Sequence, residues 1–168
     1  MEQVGPPIHR YAAQLLTPSF HLNGSLEVVG GPLDFLNDSR RDALVLTDVH
    51  LTPLTPGSPM RSMTRPQLVL RRQEVALLCF ADPDVRADIR LLVRAESLII
   101  YTPLAVLRGS MHVPAEVAMN DVLSSTPGDF LAVTDAHLFP LRELPAPWPT
   151  QSGLVIVGRP YVQLYHTP

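Results

Sequence analysis

The chain contains no lysine, because all 13 of its basic residues are arginine. The arginines are scattered among 16 acidic residues and the formal net charge is −3, so the sequence offers no large basic surface of the kind that binds nucleic acid. Charged residues make up only 17% of the chain, and its 18 prolines interrupt almost every stretch of helical length. A bundle of long, solvated helices is therefore excluded.

Cysteine is nearly absent as well, and the one present cannot form an internal disulfide. Cys79 lies in the apolar run VALLCF, where a buried and inert thiol is expected, and a reducing compartment fits this usage. No apolar run approaches the roughly 20 residues that span a bilayer, and the first residues, MEQVGPPIHRY, do not resemble a secretory signal. The sequence predicts a soluble, cytoplasmic protein without a membrane partner.

Hydrophobic residues, by contrast, are plentiful. They make up 46% of the chain and cluster in runs of four to eight rich in valine, leucine and isoleucine, which is the length of buried strands. We therefore predict a mainly β protein with short helices and stiff, proline-rich connections.

The chain is an internal duplication. The segment TPSFHLNGSLEV from Thr17 matches TPLAVLRGSMHV from Thr102 at six of twelve positions. The segment DALVLTDVHLTPL from Asp42 then matches DFLAVTDAHLFPL from Asp129 at eight of thirteen positions, and LVLRRQEVALL from Leu68 matches VIVGRPYVQLY more loosely. Gly24 and Gly109 interrupt the same strand of each copy, which predicts a bulge or sharp bend there.

The matches define two homologous units. We assign 1–9 to an N-terminal tail, 10–84 to the first unit, 85–94 to a linker and 95–168 to the second unit. Units of about 75 residues bury only part of their surface, so they are expected to pack on each other about a pseudo-twofold axis. Each unit is predicted to be a small barrel or a curled sheet.

The most similar stretch, TDVHL and its repeat TDAHL, contains two Asp-x-His pairs: Asp48 with His50, and Asp135 with His137. Strict strand alternation would place Asp48 and His50 on the same face as Leu46. The structural interpretation is that the aspartates accept backbone N–H bonds at a strand bend while the histidines lie at the rim. The alternative is a divalent-metal site formed by all four side chains.

Two segments resemble the Sm-like small β-barrels. MNDVL at Met119 to Leu123 is similar to the first Sm motif, and IVGRPYV at Ile156 to Val162 is similar to the second, with the arginine and glycine in reversed order. The resemblance implies an alternative function in RNA binding. The residues that would carry it are Asn37, Arg72, Asn120 and Arg159.

A closer resemblance covers nearly all of both halves. It is to a family of short, uncharacterised bacterial domains with a glycine-bent strand, an LN-containing helix and an LTDA-type strand, and it implies no activity. The chain has no G-x-S-x-G elbow and no phosphate-binding glycine loop. The sequence thus predicts a non-catalytic assembly or interaction module with no cofactor, whose partner is a second copy of itself or another protein.

Overall fold

The computed structural model describes residues 5–145 and 147–168. The chain is 50% strand and 15% helix, so the prediction of a mainly β protein with short helices is confirmed. Ten strands follow one another along the chain: β1 (Ile8–Leu16), β2 (Phe20–Val29), β3 (Ala43–Pro53), β4 (Met63–Arg71), β5 (Leu77–Phe80), β6 (Arg94–Tyr101), β7 (Ala105–Val113), β8 (Phe130–Pro140), β9 (Gln151–Gly158) and β10 (Leu164–His166).

Helical structure is confined to short connections. Helix α1 (Pro32–Asn37) and helix α2 (Val122–Ser125) each lie between the second and third strands of a half. The described residues also contain four 3₁₀ turns, at Arg72–Glu74, Pro83–Asp88, Met119–Asp121 and Arg159–Tyr161. None of the described helices is long and apolar enough to cross a membrane.

All ten strands form one antiparallel sheet in the order β10-β6-β7-β8-β9-β5-β1-β2-β3-β4. Each half of the chain keeps its strands together, and both halves use the same order: fifth, first, second, third, fourth. The sheet is not closed, because β10 and β4 remain its two edges. The predicted pseudo-twofold relation is not confirmed, since β5 pairs with β9 and a twofold axis would bring like strands together.

The central strands explain the most apolar runs of the sequence. In β5, Leu77 and Cys79 enter one hydrophobic cluster while Leu78, between them, enters the other. Strand β9 alternates in the same way, with Val155 in the first cluster and Ile156 in the second. Because successive side chains of a strand point to opposite faces, a strand with a core on each face must be apolar throughout.

The two cores do not divide cleanly between the halves. One cluster consists mostly of side chains from β6 to β9 but includes Leu16 and Leu77 of the first half. The other consists mostly of side chains from β1 to β3 but includes Phe130 and Ile156 of the second half. The halves are therefore joined by shared cores as well as by the sheet.

Candidate functional site

The two Asp-x-His stretches lie at β-bulges. Asn23 pairs with His50 and Ser25 with Thr47, so that Gly24 alone faces the two residues Asp48 and Val49. Asp48 has a φ of 51°, in the left-handed region that aspartate tolerates better than most residues. The opposite glycine is required by space, because a Cβ on Gly24 would lie 2.9 Å from the carbonyl oxygen of Thr47.

The second copy has the same bulge. Gly109 faces Asp135 and Ala136, and Asp135 has a φ of 50°. A Cβ on Gly109 would lie 2.9 Å from the carbonyl oxygen of Thr134. The predicted bend is therefore present at both positions, and it depends on the backbone conformation of the aspartate and on the missing side chain of the glycine.

The bulge changes which face each residue occupies. Leu44 and Leu46 are buried before it, whereas Val49 and Leu51 are buried after it. Asp48 and His50 are exposed, so they do not share a face with Leu46 as strict alternation predicts. The physical reason is the extra residue, which shifts the alternation by one position.

The four Asp-x-His side chains have separate surroundings. Nδ1 of His50 lies 3.4 Å from Oγ1 of Thr64, and Asp135 pairs with Nη1 of Arg86 at 3.2 Å. His137 borders a shallow depression of about 300 Å³ together with Asp135. Neither aspartate accepts a backbone N–H bond among the hydrogen bonds of residues 5–145 and 147–168, which differs from the structural interpretation of these residues.

The sheet does not bring the two pairs side by side, because β9, β5, β1 and β2 lie between β8 and β3. Within the described part of the chain, no three His, Cys, Asp or Glu side chains are grouped so that they could hold a metal ion. Cys79 is buried, and this burial raises the pKa of its thiol to about 12, so the thiolate that metals and electrophiles require is disfavoured.

The arginines that match the second Sm motif bind backbone carbonyls. Arg72 is only 3% exposed, and its guanidinium donates to the carbonyl oxygens of Arg41 at 2.7 Å and Leu36 at 3.2 Å. Arg159 donates in the same manner to the carbonyl oxygens of Leu123 and Gly128, and also to that of Thr126. Each arginine therefore holds the short helix of its own half and the segment that follows it.

The two asparagines of the Sm resemblance are not structural counterparts. Asn37 ends helix α1, whereas Asn120 is an exposed residue of the 3₁₀ turn before helix α2. Because Arg72 binds Leu36 and Arg159 binds Leu123, the position that corresponds to Asn37 is Ser124. The structure therefore aligns the halves at a constant spacing of 87 residues from helix to final strand.

A dense set of contacts joins the halves at a surface that we call the junction, formed by Asn37, Arg72 and β5 of the first half against Asp129, Phe130 and β9 of the second. The side chain of Asn37 donates to the carbonyl oxygen of Phe130 at 3.2 Å and accepts from its N–H at 2.8 Å. Nη1 of Arg72 lies 2.9 Å from Oδ2 of Asp129.

The strands of the junction pair closely. Leu77 lies opposite Val157, Leu78 opposite Ile156 and Cys79 opposite Val155. Gly158 donates from its N–H to the carbonyl oxygen of Ala76 at 2.9 Å. A Cβ on Gly158 would lie 2.2 Å from the carbonyl oxygen of Val75, so glycine is required for this close approach.

The sequence did not reveal the most exposed apolar residues of the sheet edges. Val69 in the edge strand β4 is 66% exposed and Leu164 in the edge strand β10 is 52% exposed. Both sit in runs whose patterns match buried strands of the other half. Only alignment of the two halves could have identified these two residues as edge positions, and only once the central strands of the sheet were known.

Comparison of the chain with protein-family models, with curated proteins and with solved structures finds no match. The interpretation of the site therefore depends on its own geometry.

Proposed function

We propose that the protein is a non-catalytic assembly module of two homologous small β units that associates through the edges of its sheet. The observation that carries this proposal is the junction. There, one half binds the other by strand pairing, by the Asn37 clamp on Phe130 and by the ion pair between Arg72 and Asp129. The same kinds of strand that meet at the junction, a fourth and a fifth, form the two ends of the sheet, where each has a neighbour on its inner side only among the described residues.

Several shared features support the origin of the module by duplication. Both halves have the same strand order, a bulge of glycine opposite aspartate, and an arginine that binds carbonyl oxygens in and after the short helix. A 3₁₀ turn joins the fourth and fifth strands in each half. These features are structural, which agrees with a framework that holds binding edges in place.

The surroundings of the thiol, guanidinium and imidazole groups support a function without catalysis. The thiol of Cys79 is buried and its pKa is raised, and the guanidinium groups of Arg72 and Arg159 are occupied by carbonyl oxygens. The exposed histidines of the Asp-x-His pairs lie on separate strands. For comparison, a general base or nucleophile requires a second and third group in hydrogen-bonding reach.

Light scattering after size exclusion tests the proposal, because a single chain has a mass of 18.5 kDa. We expect the measured mass to rise with concentration as the sheet edges associate. A mass that stays at that of one chain over a wide concentration range would contradict self-association.

A second experiment separates the alternatives. Material purified from the native source is analysed for bound metal by elemental analysis and for nucleic acid by its absorbance ratio. Metal that is lost in a His50→Ala, His137→Ala variant would establish the metal site instead, and nucleic acid released by salt would establish nucleic-acid binding. We expect neither.

A further inference from the structure

The junction provides a template for the two free edges of the sheet. At the spacing of 87 residues, the β9 residues 155–157 correspond to the β4 residues 68–70, and the β5 residues 77–79 correspond to the β10 residues 164–166. Strand β9 pairs with β5 inside the chain. Strands β4 and β10, which correspond to them, lie at opposite ends of the sheet, and no other described strand pairs with their outer sides.

Exposure shows what pairing changes at these positions. Ile156 and Leu77 lie in the junction, where each packs in a hydrophobic cluster and is 0% exposed. Val69, which corresponds to Ile156, is 66% exposed, and Leu164, which corresponds to Leu77, is 52% exposed. Large apolar side chains on an unpaired strand edge mark a surface on which another strand pairs.

Resting on the function proposed above, we propose that a second copy of the chain covers each edge, so that β10 of one copy pairs antiparallel with β4 of the next. The junction sets the register: Leu164 lies opposite Leu70, Tyr165 opposite Val69 and His166 opposite Leu68. The contact joins two different edges, β10 of one copy and β4 of the other, just as the junction joins β5 to β9.

A charge pair accompanies the strands in the template. Arg72 binds Asp129 across the junction, and the corresponding residues at the free edges are Arg159 and Asp42. Asp42 is exposed, and Arg159 already holds carbonyl oxygens of its own half as Arg72 does. The contact between copies therefore places an exposed carboxylate beside a preoriented guanidinium.

Two sequence differences between corresponding positions make the contact between copies weaker than the junction. Arg71 stands where the junction has Gly158, whose Cβ position lies 2.2 Å from a backbone oxygen, so the new strand pair must open at that end. Ser124 stands where the junction has Asn37, so the two-bond clamp on the neighbouring backbone is missing. Association between copies is accordingly reversible, whereas the halves of one chain stay joined.

Because β10 of one copy pairs with β4 of the next, the contact does not by itself limit the size of the assembly. Each copy that joins through its β10 still presents a free β4, so growth continues until a ring closes or a filament forms. A contact between like edges would stop at a dimer. The stoichiometry therefore separates the two arrangements.

The test uses two variants that each block one edge, Val69→Glu and Leu164→Glu. Each places a carboxylate where the junction buries an aliphatic side chain, so each is expected to weaken association through its edge by at least about tenfold. Val93→Glu and Leu141→Glu are the matched controls, because these residues are 100% and 59% exposed and lie outside strands β4 and β10. Masses are measured by light scattering, and folding is checked by circular dichroism.

The decisive sample is an equimolar mixture. We expect each edge variant alone to be a monomer, the controls to assemble like the parent protein, and the mixture to form a dimer of one copy of each variant, because one free β4 meets one free β10. If the parent assembles but an edge variant alone still forms dimers, or the mixture stays monomeric, the head-to-tail contact is refuted while the assembly function stands. A parent protein that is monomeric throughout refutes both.

One gain-of-function variant completes the test. Arg71→Gly restores the residue found at Gly158 and should tighten association several-fold, whereas Arg65→Gly, in the same strand but outside the paired segment, should not. Equal affinities for the two variants would show that the junction is not the template.

Discussion

At Gly158 the backbones of the two halves approach closely, and adding one methyl group there should weaken the whole junction. The backbone of Gly158 has φ −68° and ψ 119°, which any residue can adopt, so Gly158→Ala introduces no conformational strain of its own. The new Cβ, however, would lie 2.2 Å from the carbonyl oxygen of Val75 and 3.1 Å from the ring of Tyr161. Relief requires β9 and the segment at Val75 to separate by about 0.8 Å or more, because Cβ atoms essentially never lie within 3.0 Å of such an atom.

Overpacking of this kind costs about 1 to 3 kcal/mol, and the shared cores on both sides of β5 and β9 leave little room for adjustment. We expect Gly158→Ala to lower the free energy of unfolding by about 2 to 3 kcal/mol, measured by urea denaturation with circular dichroism. In a chain of this size, the corresponding fall in melting temperature is roughly 4 to 12 °C.

Gly153 supplies the control, because it lies in the same strand and a Cβ there would meet nothing within 4 Å. Gly153→Ala is expected to change the free energy of unfolding by less than about 0.5 kcal/mol, or to raise it slightly by restricting the unfolded chain. If the two variants are equally stable, the close approach of β9 to the end of β5 does not exist, and the template for the contact between copies is lost with it.

Further substitutions test the other parts of the framework by the same urea assay. Arg72→Met leaves two carbonyl oxygens without their donor and should cost about 3 kcal/mol, whereas Arg71→Met, at an exposed position, should cost less than about 0.5 kcal/mol. Asp48→Gly should be nearly neutral and Asp48→Val should cost at least about 1 kcal/mol, because valine tolerates positive φ poorly; equal effects would contradict the bulge. Burial lowers the pKa of His21 in the folded chain, so the unfolded chain takes up a proton first and stability should fall as the pH drops below about 6.5. His21→Gln should reduce that fall, and an unchanged pH dependence would refute the assignment. The thiol of Cys79, with a pKa of about 12, should react with a disulfide reagent at mildly alkaline pH only on unfolding; rapid reaction in the folded protein would show that it is accessible.

The two β-bulges show which structural features the local sequence predicts and which it does not. Gly24 and Gly109 interrupt corresponding apolar runs, and this alone predicts a bulge in each half, which the structure contains. The face of the following residues could not be obtained in the same way. A bulge adds one residue to the strand and reverses the alternation, so Asp48 turned out to be exposed after two buried leucines.

The sequence by itself determined that the protein is mainly β, that its two halves share matching segments, and where the corresponding strand of each half bends. These are local properties, written in the spacing of apolar residues and in the repeat. Only the tertiary structure decided that β9 lies at the centre of the sheet while β4, with nearly the same apolar pattern, lies at its edge. The reason is that burial of a strand depends on its neighbours. Pairing with β5 places Ile156 in the hydrophobic cluster formed mostly by β1 to β3, whereas Val69, in an edge strand, stays exposed.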